Sequence, residues 1–212
     1  PFHYFGISDL TINDKEIDDK TDFNLLTAPE RVRRIIEQIG IYGTDDGNTR
    51  GLVFCYRNDI AQELSHQFNQ KGFNTIALSG ASNEDKRKGA IQLLSSNNKS
   101  EKLDYIFTVD IFNEGIDIPT VNQIIMLRPT QSAIIFVQQL GRGLRKAKDK
   151  SYLTVIDFIG NYSNNYLVPI ALYGDTSYNK DELRKLIASG SSMISGTSTV
   201  NFDRITSKKI FE

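Results

Sequence analysis

Between residues 51 and 160, short apolar runs alternate with longer segments whose apolar residues recur every three or four positions. The short runs predict buried strands, and the periodic segments predict amphipathic helices. We predict strands at 51–56, 73–80, 102–110, 121–128 and 151–160, and helices at 58–72, 82–96 and 131–147. Apolar strands that alternate with such helices are typical of a parallel sheet covered by helices on both faces. The pattern therefore predicts an α/β fold.

The segment before this core has a different pattern. Residues 1–26 are mixed and include the acidic stretch "NDKEIDDKTD", so we predict an irregular arm there. A helix then begins at "TAPERVRRIIEQIG", with Thr27 as its N-cap, Pro29 in its first turn and Gly40 at its end. The turn-forming cluster "GTDDGN" at 43–48 separates this helix from the core.

The segment after the core is also distinct. It contains "NYSNNY", a short predicted helix at "NKDELRKLIASG" and the Ser/Thr-rich stretch "SSMISGTSTVNFD". We predict that this tail packs on something outside the domain. The predicted organisation is an N-terminal arm and helix at 1–44 that pack on the core, a core domain at 45–160 and a C-terminal extension at 161–212.

Composition narrows the functional classes. With a net charge of −1, any phosphate binding must come from local basic clusters rather than from the whole chain. The single cysteine excludes an intramolecular disulfide and a cysteine-only zinc site, and the two histidines lie far apart, so we expect no metal site in this chain. No apolar run approaches the roughly 18 residues that a membrane-spanning helix needs, and no export signal opens the chain. We therefore expect a cytoplasmic protein without a membrane partner. Because the first residue is Pro1, we also expect a longer chain.

Candidate chemistry lies where the predicted strands end, because ligands of open parallel sheets bind at the carboxyl ends of the strands. Three predicted strands end in "CYRND" (55–59), "LSGAS" (78–82) and "VDIFNEGIDIP" (109–119). In the third stretch, Gly115 permits a tight turn and Asp117 is held ahead of Pro119. The residue types alone fit either a buried capping aspartate in a crossover or a functional carboxylate.

A second candidate is the stretch "FVQQLGRGLRKAKDK" at 136–150. Gln138, Gly141, Arg142 and Arg145 follow the spacing i, i+3, i+4 and i+7, so they share one face of the predicted helix. A planar guanidinium with five donors suits a phosphate on which negative charge develops. The alternative is a solvated basic helix end that the helix dipole favours.

These stretches together resemble a known family. "FNEGIDIP", followed about twenty residues later by "QQLGRGLR", resembles motifs V and VI of superfamily 2 helicases, and "GLVFCYRNDIAQEL" resembles motif IV. The order and spacing of the three motifs cover about 45–160, and they imply the C-terminal RecA-like domain. The arm and the tail further resemble bacterial helicases of the type III restriction-subunit and DEAD-box-like group, which often carry a phospholipase-D-like nuclease domain upstream.

The resemblance implies roles on the nucleotide side. Arg142 and Arg145 match the arginines of the Q-x-x-G-R-x-x-R pattern, which reach across the cleft between two RecA-like domains to the γ-phosphate of ATP. Gln138 heads that pattern and is expected to help order the cleft. Gly115 and Asp117 match the motif V glycine and aspartate, which couple the nucleotide to the nucleic acid.

The resemblance also implies roles on the nucleic-acid side. Loops that face the nucleic-acid backbone in the family correspond here to Tyr56, Arg57, Ser79 and Gly80. The chain departs from the family at Val109, where many members have a threonine that contacts the backbone. Thr108, one position earlier, is the remaining candidate for that contact.

Two motifs are absent from the sequence, which contains neither a G-x-x-x-x-G-K-[ST] phosphate loop nor a strand ending in D-E-x-H. We therefore expect a second motor domain of an ATP-dependent helicase or translocase, inactive and without bound cofactor alone. In the full-length protein, the N-terminal RecA-like domain of the same polypeptide would complete the binding site for ATP with magnesium. DNA is the expected nucleic acid, and RNA is the alternative. A non-catalytic docking module remains open. A dinucleotide enzyme is disfavoured because no G-x-G-x-x-G follows a strand.

Overall fold

The computed structural model of the chain describes residues 1–98, 100–109, 118–130, 150–174, 179–189 and 197–210, together with positions 132, 138, 141, 144, 145 and 147. The strands are β1 Phe2–Ser8, β2 Thr11–Ile12, β3 Lys15–Glu16, β4 Gly51–Cys55, β5 Thr75–Ala77, β6 Tyr105–Thr108, β7 Gln123–Leu127, β8 Leu153–Ile159 and β9 Thr199–Phe202. The helices are α1 Phe23–Leu26, α2 Pro29–Tyr42, α3 Asn58–Gln70, α4 Glu84–Leu94, α5 Leu167–Tyr173, α6 Lys180–Ser189 and α7 Arg204–Lys209. Most of the helix predicted over 131–147 lies outside the described residues.

Seven strands form one sheet in the order β5-β6-β4-β7-β8-β1-β9, and all neighbouring strands are parallel. The predicted α/β fold with a parallel sheet is therefore confirmed. The short strands β2 and β3 form a separate antiparallel hairpin. Its turn residues Asn13 and Asp14 both have positive φ, at 51° and 59°, as the favoured two-residue hairpin turn requires.

Helices bury both faces of the sheet. Successive side chains of a strand point to opposite faces, so Val53 and Ile125 pack with α2 and α3 on one face, whereas Leu52 and Ile124 pack with α4 and α5 on the other. All five residues of β4 are buried. This two-sided burial explains why "GLVFC" is a continuous apolar run rather than an alternating one.

The N-terminal segment corrects one prediction, because the expected irregular arm over 1–26 contains β1. This strand lies inside the sheet, between β8 and β9, and pairs with β8 over all seven of its residues. Its aromatic residues suit a strand, and Gly6 leaves room for the ring of Phe202, which lies 2.5 Å from the position that a Cβ would occupy. The arm is therefore an integral part of the sheet.

The tail corrects a second prediction. The short helix predicted at "NKDELRKLIASG" is confirmed as α6. The tail was expected to pack outside the domain, but β9 pairs with β1 from His3↔Thr199 to Gly6↔Phe202. The predicted boundaries of the core domain, at residues 44 and 160, stay a prediction. The seven-stranded sheet includes strands from the N-terminal segment, from the core and from the C-terminal extension.

Two predicted helix ends also shift. Ala28, not Thr27, occupies the N-cap of α2 and makes no side-chain cap, because the Thr27 hydroxyl donates to the Phe23 carbonyl at 2.8 Å. The helix continues through Gly40 and ends at Gly43, whose φ of 51° suits a glycine.

Candidate functional site

The carboxyl ends of all seven parallel strands meet at one edge of the sheet, which we call the carboxyl edge. The predicted nucleic-acid loops after β4 and β5 both lie there. The residues that follow β6, β7, β8 and β1 along this edge are Val109, Arg128, Gly160 and Asp9. The fold therefore brings the ends of separate sequence motifs to one surface.

Arg57 follows β4 at this edge and is already engaged by a carboxylate. Its Nε and Nη2 donate to the two oxygens of Asp59 at 3.0 and 2.7 Å. The two side chains are 43% and 54% exposed. The hydrogen bond between them is the main cause that raises the pKa of Arg57 and lowers the pKa of Asp59. A phosphate would need to replace a carboxylate that already has bidentate geometry.

The loop after β5 carries Ser79 and Gly80 and is held by side chains. The Ser79 N–H donates to the Ser82 hydroxyl at 3.0 Å, and the Ser82 N–H donates back to the Ser79 carbonyl at 2.9 Å. Arg87 from α4 donates through Nη2 to the Gly80 carbonyl at 2.7 Å. The exposed Gly80 backbone therefore sits at the carboxyl edge in a fixed loop.

Thr108 is the last residue of β6 and is completely buried. Within the described part of the chain, its hydroxyl has no hydrogen-bond partner. In this conformation Thr108 does not reach the surface, so the contact predicted for it stays a prediction that would need a local rearrangement.

The nucleotide-side predictions fall mostly outside the described residues. Arg142, Gly115 and Asp117 lie among the residues that the structure does not describe. Gln138 is helical and half-buried, and Arg145 is exposed. The finger roles of the arginines therefore remain predictions.

Sequence reasoning missed Arg128, which follows β7. It is 7% exposed, and its Nη1 donates to the Val109 carbonyl at 3.1 Å. Because β4 lies between β6 and β7 in the sheet, this bond spans the intervening strand and fixes the point where the chain enters the motif V segment. The sequence feature that could have revealed Arg128 is the position of an arginine directly after an apolar strand.

Sequence reasoning also missed a buried ion pair at the end of β1. Both side chains of Asp9 and Arg31 are fully buried, with Nη2 and Oδ2 2.7 Å apart. Arg31 also donates from Nη1 to the Leu26 carbonyl at 2.8 Å. The pair ties the carboxyl end of β1 to the start of α2, and Arg31 interrupting the apolar stripe of that helix was its only sequence signal.

A second buried polar pair joins β1 to β8. The Tyr4 hydroxyl donates to Oδ2 of Asp157 at 2.6 Å. Burial raises the pKa of Asp157 to about 7, against the opposing effect of the Tyr4 hydrogen bond, and the charge of Asp9 raises it further. Asp157 therefore titrates near neutral pH.

The acidic turn Asp18–Asp19 reaches the same edge. Asp18 forms a β-bridge with Asn161, the second residue after β8. Oδ1 of Asp18 accepts from the Lys20 N–H and the Thr21 hydroxyl, both at 2.9 Å. Oδ2 of Asp19 accepts from the N–H and hydroxyl of Ser163 at 3.0 and 2.9 Å. The acidic stretch that we expected to be irregular is therefore held in place at the carboxyl edge.

The described ranges show neither a metal cluster nor a membrane-spanning helix. Within them, no three His, Cys, Asp or Glu side chains gather as a metal site. The helices that the structure describes include none with the length and apolar character to cross a membrane.

A parallel seven-stranded sheet with helices on both faces and motif loops gathered at its carboxyl edge defines a RecA-like domain. Residues 30–147, more than half of the chain, match the model of the helicase conserved C-terminal domain. The chain belongs to this family, so the predicted membership in the C-terminal RecA-like domains of superfamily 2 helicases is confirmed.

Individual relatives agree with this assignment. The chain is 28% identical over 166 residues to the type I restriction enzyme EcoKI endonuclease subunit of Escherichia coli, covering 72% of this chain and 14% of that protein. It is 29% identical over 125 residues to the ATP-dependent RNA helicase SrmB of Haemophilus influenzae, covering 59% and 27%. The structure of the ATP-dependent type ISP restriction-modification enzyme LlaBIII bound to DNA shares the fold, with a TM-score of 0.60 and 20% identity over 95% of this chain and 15% of that one. The chain thus spans only a small part of these relatives.

Proposed function

We propose that this chain is the second motor domain of an ATP-dependent nucleic-acid helicase or translocase. The observation that carries the proposal is the parallel sheet, which brings the loops after β4 and β5 and the entry to motif V to one edge. Membership in the helicase C-terminal family supports it.

On the nucleotide side, Arg142 and Arg145 act as fingers on the γ-phosphate of ATP, and Gln138 orders the cleft. Gly115 and Asp117 couple the nucleotide to the nucleic acid. The sequence has no phosphate loop, so ATP and its magnesium ion are held chiefly by an N-terminal RecA-like domain of the same polypeptide. Hydrolysis by the isolated chain is not expected.

On the nucleic-acid side, Arg57 and the Ser79–Gly80 loop contact the phosphate backbone. Such contacts position a nucleic acid without reading its bases. DNA is the proposed ligand, because the similar LlaBIII structure is bound to DNA and EcoKI is a restriction enzyme. RNA is the alternative, because SrmB is an RNA helicase.

The test is Arg142→Ala in the full-length protein, read out as nucleic-acid-stimulated ATP hydrolysis. An arginine finger neutralises charge that develops only in the transition state, so turnover should fall on the order of 10³–10⁵-fold. Arg142→Lys should not restore turnover, because a lysine lacks the planar fork. The melting midpoint should stay unchanged in both variants.

Arg184→Ala is the matched control, since Arg184 lies on α6 in an exposed ion pair with Asp181. It should keep normal turnover. Normal turnover in Arg142→Ala, or loss of turnover only together with stability, would contradict the finger role and would favour a non-catalytic docking module.

A further inference from the structure

Two crossovers of the sheet run in the same direction, from the carboxyl edge to the opposite edge, which we call the amino edge. The first leaves β6, passes through the motif V segment at 109–119 and enters β7. The second leaves β7, passes through residues 131–147 and enters β8. We call 131–147 the finger segment, because it carries Gln138 and the predicted fingers. Each crossover therefore starts at the edge where ligands of parallel sheets bind.

The starts of the two crossovers are joined by Arg128, which directly follows β7 and stands shortly before the finger segment. Its Nη1 donates to the carbonyl of Val109, the first residue of the motif V segment, at 3.1 Å. Arg128 is only 7% exposed, and a cation that is so buried depends on the hydrogen bonds it makes. The entry to the motif V segment is thus held against the entry to the finger segment.

The ends of the two crossovers are joined by Lys150. Its Nζ donates to the carbonyls of Pro119 and Val121 at 2.6 and 3.0 Å. Its own N–H donates to the carbonyl of Ala147, the last residue of the finger segment, at 3.3 Å. Burial lowers the pKa of Lys150 to about 8, so the amine is protonated at pH 7. The exit of the motif V segment is thus held against the exit of the finger segment.

The two cations therefore bracket the finger segment, and both donate to backbone carbonyls at the ends of the motif V segment. We call the contact from Arg128 and the contacts from Lys150 the two backbone links. Contacts to carbonyls fix where the backbone lies, whichever side chains the segment carries. Catalytic groups depend strongly on position, and a misplacement of about 1 Å can cost on the order of 10²-fold in rate. A displacement of one segment is thus passed to the other.

Other buried cations of the chain show what a contact without this arrangement looks like. Lys102 also lies near the amino edge, just before β6, and burial is the main cause that lowers its pKa. Its Nζ donates to the carbonyl of Thr49 at 2.9 Å. Arg50 is 7% exposed, as Arg128 is, and its Nη1 donates to the carbonyl of Asn48 at 3.3 Å. These contacts hold the turn before β4 and lie outside both segments.

We propose that Arg128 and Lys150 are positioning residues that couple motif V to the arginine fingers. The inference rests on the proposed motor function. Nucleic acid that displaces the motif V segment moves the finger segment through the two backbone links, so that ATP hydrolysis responds to nucleic acid. Both residues act through the backbone and not on the nucleotide itself.

The experiment compares Arg128→Met and Lys150→Met in the full-length protein at pH 7, because methionine keeps an apolar stem and removes the donors. The kcat of nucleic-acid-stimulated ATP hydrolysis should fall roughly ten- to hundred-fold in each variant. The KM for ATP and the nucleic-acid concentration that half-maximally stimulates hydrolysis should stay within about two-fold of the parent, because the links position the fingers and do not bind either ligand.

Lys102→Met and Arg50→Met are the matched controls. Each removes a buried cation that donates to a backbone carbonyl outside both segments, so each should lower the melting midpoint and keep the stimulated kcat within about two-fold of the parent. All rates are measured below the melting transition of the variant. Arg128→Gln and Lys150→Gln, which keep a polar head, replace a methionine variant that does not fold and carry the same expectation.

The double variant Arg128→Met/Lys150→Met tests whether the two links act as one unit. Breaking either link already uncouples the segments, so the double variant should lose less kcat than the product of the two single losses. A loss equal to that product would show that the links act on separate units and would overturn the shared coupling.

Equal losses of kcat in the test and control variants would reduce Arg128 and Lys150 to a role in stability and overturn the inference. So would a stimulated kcat at the parent value in either test variant. These results leave the motor function intact when Arg142→Ala still abolishes turnover. Failure of the motor function itself is recognised by normal turnover in Arg142→Ala.

Discussion

Arg57, which follows β4, and Asp59, in the first turn of α3, hold each other in the geometry that a guanidinium would adopt with a phosphate. A nucleic-acid backbone therefore competes with Asp59 for Arg57, and the displaced carboxylate would remain close enough to repel it. Asp59 should for this reason lower the affinity of the edge for nucleic acid and ease its release.

The variant Asp59→Asn tests this competition in the 212-residue chain. Because an exposed ion pair is weak, its removal should raise the affinity for single-stranded DNA by about two- to five-fold. The measurement is a fluorescence anisotropy titration, and Glu37→Gln controls for the change in net charge. Equal gains in the two variants would show that Asp59 acts only through net charge, and no gain would exclude Arg57 as a phosphate contact.

At the scale of elements, the Tyr4–Asp157 bond couples β1 to β8 in a pH-dependent way. The pKa of Asp157 is about 7 in the folded chain and roughly 4 when unfolded. Between these values the folded state binds the extra proton, so the contribution of Asp157 to stability falls as pH rises from about 4 to 7 and stays low above it.

Asp157→Asn removes that titration and keeps an acceptor for the Tyr4 hydroxyl. The melting midpoint of the variant relative to the parent should therefore increase from pH 5 to pH 8. The comparison is made between the two proteins so that the titration of every other group, which both proteins share, cancels. A difference that is constant across this range would mean that Asp157 is ionised in both states.

The strands and helices that could be predicted are those whose own residues show an apolar run or a helical repeat of apolar positions. β4, β6, β7 and β8 are apolar runs beside amphipathic helices, so periodicity was enough to find them. β1 and β9 pair with each other and so join His3 to Thr199. No sequence pattern within either strand indicates a partner that lies so far away along the chain. Asp18 and Asp19 were likewise visible only as acidic residues, because their position at the carboxyl edge depends on the bridge to Asn161.

The same distinction applies to the candidate site, where some residues could be found from the sequence and others depend on the assembled sheet. The stretches that carry Arg57, Ser79 and Gly80 were noticed because they end apolar runs, and their role was implied by the resemblance to helicase motifs. The parallel sheet does bring them to one edge. The burial of Thr108 and the bond from Arg128 to Val109 could not be predicted, since both depend on which strands are neighbours. Strand order is a property of the assembled sheet rather than of any one segment.

At the scale of the whole molecule, charge sets the character of nucleic-acid binding. The net charge of −1 gives no general attraction to a polyanion, so the chain alone should bind weakly through a few contacts at the Arg57 and Ser79–Gly80 loops. Each phosphate contact on a single strand contributes about −0.7 to the slope of log affinity against log salt. For one to three contacts, affinity for single-stranded DNA should fall roughly three- to twenty-fold between 50 and 200 mM salt.

Oligonucleotides of different sequence but equal length should bind alike, because backbone contacts carry no base information. Arg57→Gln should reduce the slope by about 0.7, whereas Arg184→Gln on α6 should leave it unchanged. Binding that resists salt or depends on base sequence would mean that these loops read bases, and the assignment of the β4 and β5 loops to the phosphate backbone would then be wrong.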